Sequence, residues 1–381
     1  MKKIQKIAIV GAGNAACLTA LHYHLYGRII NIDTIDEIEI YHDPNVPIEK
    51  VGLGSQLNVT DIIFDVLNLN WYDNPIDATF KTGILYEGWG KKQDKIFHPF
   101  SGKGNAIHYI PHKLSKCVLE SGHFNVIEKS ISDPEKEIDA NYIIDCRGRH
   151  NRDKSNYDTL INPLNAVLLS SKDSKDPDLH YTRTVTTPNG WTFVIPNKDS
   201  VSYGYLYNNT ITSDKEAKED FLERFNLSEI HDTLTFENYM AKNVFVGNRT
   251  ILNGNACGFM EPMEANSTAF FLNVAEYAWD CIFGITPPSK SNYLIKKMMR
   301  EIETFILWHY QYGSKYDTAF WEYAKSLPFY PDERFRELVK NPADRDKVQM
   351  EMQTKDNFIL EEYAYGQWAT PSIKVWKDAM E

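Results

Sequence analysis

The chain has 381 residues, of which 43% are hydrophobic and 13% aromatic. This composition excludes a disordered or fibrous protein and predicts a globular chain with two sub-structures around substantial cores. The 41 basic and 52 acidic side chains give a formal net charge of -11, which repels phosphate backbones and argues against nucleic acid as a partner. The five cysteines are scattered and never form a CxxC pair, which favours reduced, mostly buried thiols in the cytoplasm over a disulfide scaffold.

The first forty residues predict a strand, a helix and a second strand. Residues 6–10 (KIAIV) form a short apolar run, typical of a parallel strand buried on both faces. Gly11, Gly13 and Ala16 follow as a GxGxxA turn into a helical pattern, and residues 37–41 (EIEIY) predict the next strand. In such a unit the first glycine permits a tight turn, the second admits a pyrophosphate, and the small third residue lets helix and strand pack closely. The sequence therefore predicts a dinucleotide site at this turn.

A site of this kind usually has an acidic residue at the end of the second strand, where it binds the ribose. The chain reads Tyr41, His42 and Asp43 at this point, so the carboxylate is either displaced to Asp43 or replaced by His42. No run of residues approaches the ~18 apolar positions needed to span a bilayer. We therefore expect a cytoplasmic protein without a membrane span.

The rest of the chain predicts four segments. Residues 1–161 form the first part of a cofactor domain, and residues 162–250 are strand-rich and predict an inserted antiparallel sheet. Residues 251–284 return to the cofactor domain, and residues 285–381 form a helical region over the substrate. The expected fold class is therefore α/β, with a Rossmann-like cofactor domain.

Two later segments complete the cofactor pattern. Residues 142–148 (YIIDCRG) are an apolar strand that ends at Asp145, and residues 251–262 (ILNGNACGFMEP) continue from a strand through Asn255 to Pro262. Together with the GxGxxA turn, and in this order, these segments resemble the FAD-binding scaffold of flavoprotein monooxygenases. In that family an acidic residue usually stands where this chain has Asn255, so the resemblance implies a neutral contact there.

Other motifs resemble those of a narrower group, the flavin-dependent halogenases. Trp191 begins the segment WTFVIP, which is similar to the WxWxIP signature of these enzymes, with Phe193 in place of the second tryptophan. The segment VGLGSQ, which contains Gly52 and Gly54, resembles the family's loop over the flavin, with Ser55 at the position of an acidic residue. The resemblance implies that both segments lie beside the flavin.

Further matches extend the resemblance over nearly the whole chain. TFKTGILYEGW resembles the segment of the family's catalytic lysine, which corresponds to Lys81, and EPME places the active-site glutamate at Glu264. Asn266 and Ser267 correspond approximately to the stretch that supplies backbone amides to the halide. The late segment HYQYGSKYDTAFW is similar to the HY...DTPFW segment of tryptophan halogenases, with Ala319 in place of proline. The chain is shorter than typical tryptophan halogenases, and in this respect it resembles a compact, phage-type member.

The resemblance implies a specific chemistry. FAD, supplied as FADH2 by a separate reductase, acts with oxygen and a halide ion to make hypohalous acid, which Lys81 directs onto an electron-rich aromatic small molecule. Glu264 orients the oxidant and accepts charge from the substrate ring. The halide can be chloride, bromide or iodide, and the sequence does not define the organic substrate, the oligomeric state or any carrier.

Two other functions remain compatible with the sequence: a flavoprotein hydroxylase of the same fold, and an FAD-binding module without turnover. No metal site is expected, because the histidines show neither HExxH nor two-histidine-one-carboxylate spacing. This spacing argues against five histidines as ligands: His22, His24, His98, His108 and His112.

Overall fold

The computed structural model describes residues 4–29, 35–100, 106–149, 153–173, 180–355, 360–366 and 368–380. Its helices are α1 Asn14–Ile29, α2 Val59–Leu67, α3 Pro111–Glu120, α4 Pro134–Glu137, α5 Asp214–Phe225, α6 Asn266–Ile282, α7 Pro288–Tyr312, α8 Ala319–Ser326, α9 Glu333–Lys340, α10 Arg345–Thr354 and α11 Thr370–Met380.

The strands of the first half of the chain are β1 Ile4–Val10, β2 Ile35–His42, β3 Leu53–Gly54, β4 Thr79–Lys81, β5 Gly83–Glu87, β6 Lys95–Pro99, β7 Ala106–Tyr109, β8 Asn125–Glu128, β9 Tyr142–Asp145, β10 Tyr157–Thr159, β11 Ala166–Asp173 and β12 Thr182–Thr187. Those of the second half are β13 Gly190–Pro196, β14 Ser200–Tyr207, β15 Asp232–Thr235, β16 Tyr239–Ala241, β17 Phe245–Val246, β18 Thr250–Leu252, β19 Gly258–Phe259, β20 Ala364–Tyr365 and β21 Trp368–Ala369.

A six-stranded sheet carries the predicted cofactor turn. Its order is β17-β18-β9-β1-β2-β8, and all neighbours are parallel except β17 and β18. The central strands are apolar because both faces are covered: Ile9 and Ile144, paired across β1 and β9, are fully buried. Helices α1 and α6 lie together, where the Tyr23 hydroxyl donates to the Ala275 carbonyl at 3.0 Å. The carboxyl ends of β1, β2, β9 and β18 thus share one edge of the sheet.

A seven-stranded sheet forms the second layer, in the order β15-β11-β14-β13-β12-β5-β6. Its neighbours are antiparallel except β12 and β5. The antiparallel sheet predicted within residues 162–250 is therefore extended by two strands from earlier in the chain. Helix α5 packs Phe221 against Tyr205 on one face, while Trp191 points into the main core from the other. The predicted α/β class with an antiparallel sheet is confirmed, and the boundaries at 161, 250 and 284 stay predictions.

The segment from Thr79 to Glu87, which contains Lys81, forms two strands that belong to different sheets. The strand is interrupted at Thr82: β4 pairs with β7 in a small three-stranded sheet, whereas β5 belongs to the seven-stranded sheet. The backbone amide of Thr82 donates to His180 at 2.6 Å, outside both ladders. Lys81 is the last residue of β4, so the break places its side chain at the junction of two sheets.

Helices dominate from Asn266 onward, as predicted. The long helix α7 carries a buried aromatic face, and the hairpin β20-β21 with helix α11 covers its last turns, where Trp368 stacks on Phe305 at 4.0 Å. Two of the cysteines, Cys17 and Cys257, are buried, and the other three are half-buried. Among the described residues, no helix combines the length and the apolar character that crossing a bilayer requires.

Candidate active site

The turn after β1 forms a cradle at the shared edge of the six-stranded sheet. Gly11 has a φ of +122°, and a Cβ there would lie 2.8 Å from the carbonyl oxygen of Cys146, so this position requires glycine. Gly13 faces open space, because a Cβ added there would have no atom within 4 Å beyond its own chain neighbours. Ala16 is buried in the core, which lets α1 pack closely on the sheet. The loop is thus tight at Gly11 and open at Gly13.

The second and third cofactor segments meet this turn. Asp145 ends β9, and its carboxylate accepts two hydrogen bonds from the Arg147 guanidinium, at 2.9 and 2.8 Å. The turn after β18 has Gly254 with a φ of +61°, packed against Ala15 at the start of α1. Asn255 follows, and its carbonyl accepts from the Tyr239 hydroxyl at 2.6 Å. The structure therefore brings the predicted segments together, although Asp145 is held by an arginine.

The two candidates for the ribose contact lie at the end of β2 but differ in their contacts. His42 Nε2 lies 3.9 Å from the Glu128 carboxylate. Asp43 accepts from the backbone and side-chain amides of Asn45, at 2.9 and 3.0 Å, and these hydrogen bonds hold the pKa of its carboxyl below the usual value. Asp43 thus stabilises its own turn.

Buried polar atoms without a partner test whether FAD fits this region. Asn197, directly after the WTFVIP strand, is 5% exposed, and neither atom of its amide has a hydrogen-bond partner among the described residues. It faces Gly52, where any side chain would collide with that amide. Nδ2 of Asn14, at the first turn of α1, is also buried and unpaired within the described chain. An open glycine turn and unsatisfied amides fit a cofactor with phosphates and a polar ring system.

Lys81 lies deep in the protein, 2% exposed. Its Nζ donates to the carbonyl of Ser55 at 3.1 Å and lies 4.9 Å from the centre of the Phe100 ring. Gly54 lies beside it, and a Cβ there would lie 3.0 Å from Nζ, so that a larger residue would displace the amine slightly. Burial lowers the pKa of Lys81 to about 7, against an opposing effect of Glu264. The amine is therefore partly neutral at neutral pH.

Glu264 is the second buried group, 3% exposed, on a short turn before α6. Its φ is +72° and that of Ala265 is +53°, a left-handed backbone that costs roughly 1–3 kcal/mol per non-glycine residue. The turn is held by Gln56, whose Nε2 donates to the Glu264 carbonyl at 3.0 Å. Oε1 of Glu264 lies 3.0 Å from Nε2 of His309, and burial raises the pKa of the carboxyl. Lys81 and Glu264 each shift the other's pKa, so the two predicted catalytic groups share one site.

A second carboxyl on the same turn connects to the WTFVIP strand. The Trp191 indole donates to the Tyr310 hydroxyl at 3.0 Å, and this hydroxyl donates to Oε1 of Glu261 at 2.6 Å. Glu261 is 1% exposed, and burial raises its pKa to about 8. Pro262 follows it in the turn, and Phe193 lies against Gly204, where a larger residue would collide with the ring. Trp191 is thus a buried anchor of the site.

The predicted halide segment begins helix α6. Asn266 donates to the carbonyl of Met263 at 3.0 Å, while its Oδ1 has no partner within the described chain. Ser267 is half-buried in the same turn. The sequence prediction missed Thr268, which is fully buried with a hydroxyl that lacks a partner among the described residues. Thr268 could have been identified from the sequence, because it follows Ser267 at a predicted helix start.

An aromatic cage adjoins Lys81 and Glu264, and sequence reasoning missed most of it. His98 lies on β6, and its ring stacks on that of Trp368 with the ring centres 5.1 Å apart. Trp376 of α11 lies 4.4 Å from Tyr86 and 4.1 Å from His309. The buried residues of β6, Ile96 and His98, alternate with more exposed ones. This alternation could have predicted that the His98 side chain points into the protein.

The cage contains unsatisfied polar groups but no charged one. Within the described chain, Tyr86 OH, His98 Nδ1 and Trp376 Nε1 are buried without hydrogen-bond partners. Burial lowers the pKa of His98 to about 3, so this ring is neutral. These side chains pack closely against one another and against α11, and no space large enough for a water molecule lies among them. Across the described ranges, no group of three or more His, Cys, Asp or Glu side chains is arranged to hold a metal ion.

Known proteins are similar to this chain in sequence. The tryptophan halogenase family model matches residues 6–121 and 112–374. Tryptophan 7-halogenase RebH from Lentzea aerocolonigenes is 25% identical over 210 residues, which are 50% of this chain and 39% of that protein. Tryptophan 7-halogenase KtzQ from Kutzneria sp. is 25% identical over 171 residues, or 43% of this chain and 32% of that protein. The matches thus span less than two fifths of these relatives' length.

Solved structures share the fold over almost the whole chain. A tryptophan 6-halogenase, SttH from Streptomyces toxytricini, has a TM-score of 0.77 at 16% identity, covering 99% of this chain and 90% of that one. A tryptophan halogenase from Shewanella frigidimarina has a TM-score of 0.79 at 17% identity, covering 100% and 89%. The fold of this chain is therefore that of solved tryptophan halogenases. The chain belongs to the tryptophan halogenase family, which confirms the resemblance found in the sequence.

Replacing Gly13 with leucine tests the cofactor cradle. We expect Gly13→Leu to fold normally, because a side chain meets nothing within 4 Å there, but to lose FAD binding, because it fills the open side of the turn. The measurement is flavin fluorescence quenching together with thermal unfolding of the flavin-free protein. Gly27→Leu is the matched control, since Gly27 also faces open space near the other end of α1. Unchanged FAD affinity in Gly13→Leu would contradict the assignment.

Replacing Glu261 with glutamine tests its buried proton. Because the folded pKa is about 8 and the usual value is 4.5, the folded state holds a proton that the unfolded state releases, and stability falls as pH rises through that interval. Each pKa unit corresponds to about 1.4 kcal/mol. We expect Glu261→Gln to keep the Tyr310 hydrogen bond and to gain a few kcal/mol over the wild type at pH 8, but little at pH 4.5. Urea unfolding at both values measures this difference, with Glu322→Gln as a surface control; equal gains at both values would disprove it.

Proposed function

We propose that this protein is a flavin-dependent halogenase that acts on an electron-rich aromatic small molecule. The observation that carries this proposal is the burial of the Lys81 amine and the Glu264 carboxyl in one site, beside an aromatic cage and a strand that begins with Trp191. A buried amine with a lowered pKa is the group that can bind and direct hypohalous acid.

The cofactor is FAD, reduced to FADH2 by a separate reductase, and the second substrate is chloride, bromide or iodide. Bound FADH2, with oxygen and halide, supplies hypohalous acid. The residues proposed to hold the cofactor line the glycine turn, the ends of β2, β9 and β18, and the loop before β4: Gly11, Gly13, Ala16, His42, Asp43, Gly52, Gly54, Asp145, Asn255 and Pro262. Asn197 joins them, because its buried amide lacks a partner within the described chain.

The start of α6 is proposed to bind the halide. Backbone amides at a helix start have no partner within the helix and carry partial positive charge. Asn266, Ser267 and the buried hydroxyl of Thr268 surround this start. Trp191 and Phe193 form the wall between this region and the core, so that water and the organic substrate are kept apart from the cofactor.

Lys81 directs the oxidant. In its neutral form, Nζ has a lone pair that can accept a hydrogen bond from hypohalous acid or take up its halogen, and the Ser55 carbonyl fixes the direction of the side chain. Glu264 stabilises the positive charge that develops on the attacked ring and removes the proton from the halogenated carbon. Both tasks require a dry site, which the cage provides.

The cage supports a neutral aromatic substrate. His98 is neutral, and Tyr86, Phe100, Trp368 and Trp376 bring no charge, so nothing in this set matches a charged side group. Polar groups that lack partners in the described chain, such as Trp376 Nε1, suit a phenol or an indole. Tryptophan, named in the relatives' names, contains an indole, which makes indole a suitable first probe.

The four segments bounded at 161, 250 and 284 remain the proposed functional division: FAD binding, inserted sheet, FAD binding and substrate cover. The proposed location is the cytoplasm, where thiols such as those of the five cysteines stay reduced.

Replacing Lys81 with alanine tests the transfer step. We expect the wild type, with FAD, a flavin reductase, NADH and each halide in turn, to give halogenated indole or phenol, and Lys81→Ala to lose at least about 100-fold while still binding FAD. Mass spectrometry of the products measures this loss. Lys91→Ala is the matched control, because Lys91 is exposed and pairs with Asp317. Hydroxylated product without halide would favour the hydroxylase, and FAD binding without any product would favour the non-catalytic module.

The pH dependence tests the protonation state of Lys81. Its pKa is lowered to about 7, so the neutral amine increases roughly tenfold between pH 6 and pH 8, and the halogenation rate rises with it. Single-turnover rates across this range measure the effect. Lys81→Arg stays cationic throughout and is expected to be inactive at every pH. A flat profile, or an active arginine variant, would contradict this role.

A further inference from the structure

Two neighbouring side chains of α7 hold the two glutamates of the turn before α6. His309 lies 3.0 Å from Glu264, and Tyr310 donates to Glu261 at 2.6 Å. His309 is fully buried, and no step proposed above uses it.

The contacts of His309 fix where its hydrogen lies. Nδ1 is 2.8 Å from the carbonyl oxygen of Phe305. A carbonyl oxygen only accepts hydrogen bonds, so Nδ1 carries a hydrogen, and the neutral ring has its lone pair on Nε2. Nε2 lies 3.0 Å from Oε1 of Glu264, and neither atom makes a hydrogen bond within the described chain. This separation accommodates one shared proton once the two side chains turn toward each other.

We propose that His309 is a positioning residue for Glu264 and the acceptor of the proton that Glu264 removes from the halogenated ring. This inference rests on the proposed function. When the C–H bond at the halogenated carbon breaks, its electron pair restores the aromatic ring and the proton moves to the Glu264 carboxylate. The proton then passes to Nε2 of His309, which leaves a carboxylate beside an imidazolium.

The surroundings explain why Glu264 needs such a partner. Burial raises the pKa of this carboxyl, so on its own it would retain the proton after each turnover. Its left-handed backbone also requires a contact that fixes the side chain. The other titratable groups facing this pair are Lys81, His98, Tyr86, Tyr310 and Glu261. When Lys81 is neutral, it does not repel a positive charge on His309.

Replacing His309 with glutamine and with leucine separates the two roles. The amide of His309→Gln can form a hydrogen bond with Glu264 but cannot take up a proton, whereas His309→Leu can do neither. With indole as the probe, we expect kcat for halogenation to fall about tenfold in the glutamine variant and further in the leucine variant, while the KM for indole stays unchanged in the glutamine variant. A ring-deuterium isotope effect, absent in the wild type, is expected to appear in His309→Gln because proton removal becomes slow.

Two measurements keep this test independent of the proposed function. The first measurement traps hypohalous acid with a thiol, which reports its formation before any ring is halogenated. We expect His309→Gln to leave this formation unchanged. If the wild type forms no hypohalous acid, the proposed function itself fails. The NMR titration of the His309 ring in the flavin-free protein should change in Glu264→Gln, whatever the activity. Wild-type kcat without an isotope effect in His309→Gln, or an unchanged titration, would overturn the proposal. His22→Gln, another buried histidine, is the control for the substitution itself.

Discussion

The burial of ionisable groups in one apolar region is the constraint on which this site depends. Removing an amine and two carboxyls from water favours their neutral forms, which lowers the pKa of Lys81 and raises those of Glu261 and Glu264. Polar neighbours reduce the cost of such burial. The Ser55 carbonyl accepts a hydrogen bond from Lys81, the Tyr310 hydroxyl donates one to Glu261, and the His309 ring lies 3.0 Å from the Glu264 carboxyl.

The fold produces this burial by interrupting a strand. If residues 79–87 formed one continuous strand of a single sheet, the Lys81 side chain would point to one face of that sheet. The break at Thr82 sends β4 and β5 into different sheets and directs Lys81 into the space between them. The turn of Glu264, with its left-handed backbone, approaches from the other side. Backbone irregularity at both positions therefore brings the proposed catalytic pair, Lys81 and Glu264, into one buried region.

The positions that depart from the family pattern have structural explanations. Ser55 stands where the family has an acid, and its hydroxyl accepts from the Ile107 amide at 2.9 Å while its carbonyl holds Lys81. A buried carboxylate there would need a different partner. Phe193 stands where the family has a tryptophan. Its ring lies against Gly204, its cross-strand neighbour, and any side chain at position 204 would collide with this ring. Ser55 and Phe193 therefore each fit the side chains and backbone that surround them.

The sequence by itself determined the parts that depend on local backbone geometry. The tight turn at Gly11 and the strand and helix around it follow from residue type and spacing, because each demand is met within a few neighbouring residues. The order of the cofactor segments and the candidates Lys81 and Glu264 came from the resemblance of short motifs to those of a known family. Only the tertiary structure decided which distant side chains complete the site. His98, Tyr310 and Trp376 come from β6, α7 and α11, and they meet because two sheets and the C-terminal helices pack together. Periodicity in one segment predicts that a side chain is buried, but the partner that it meets depends on how the elements pack.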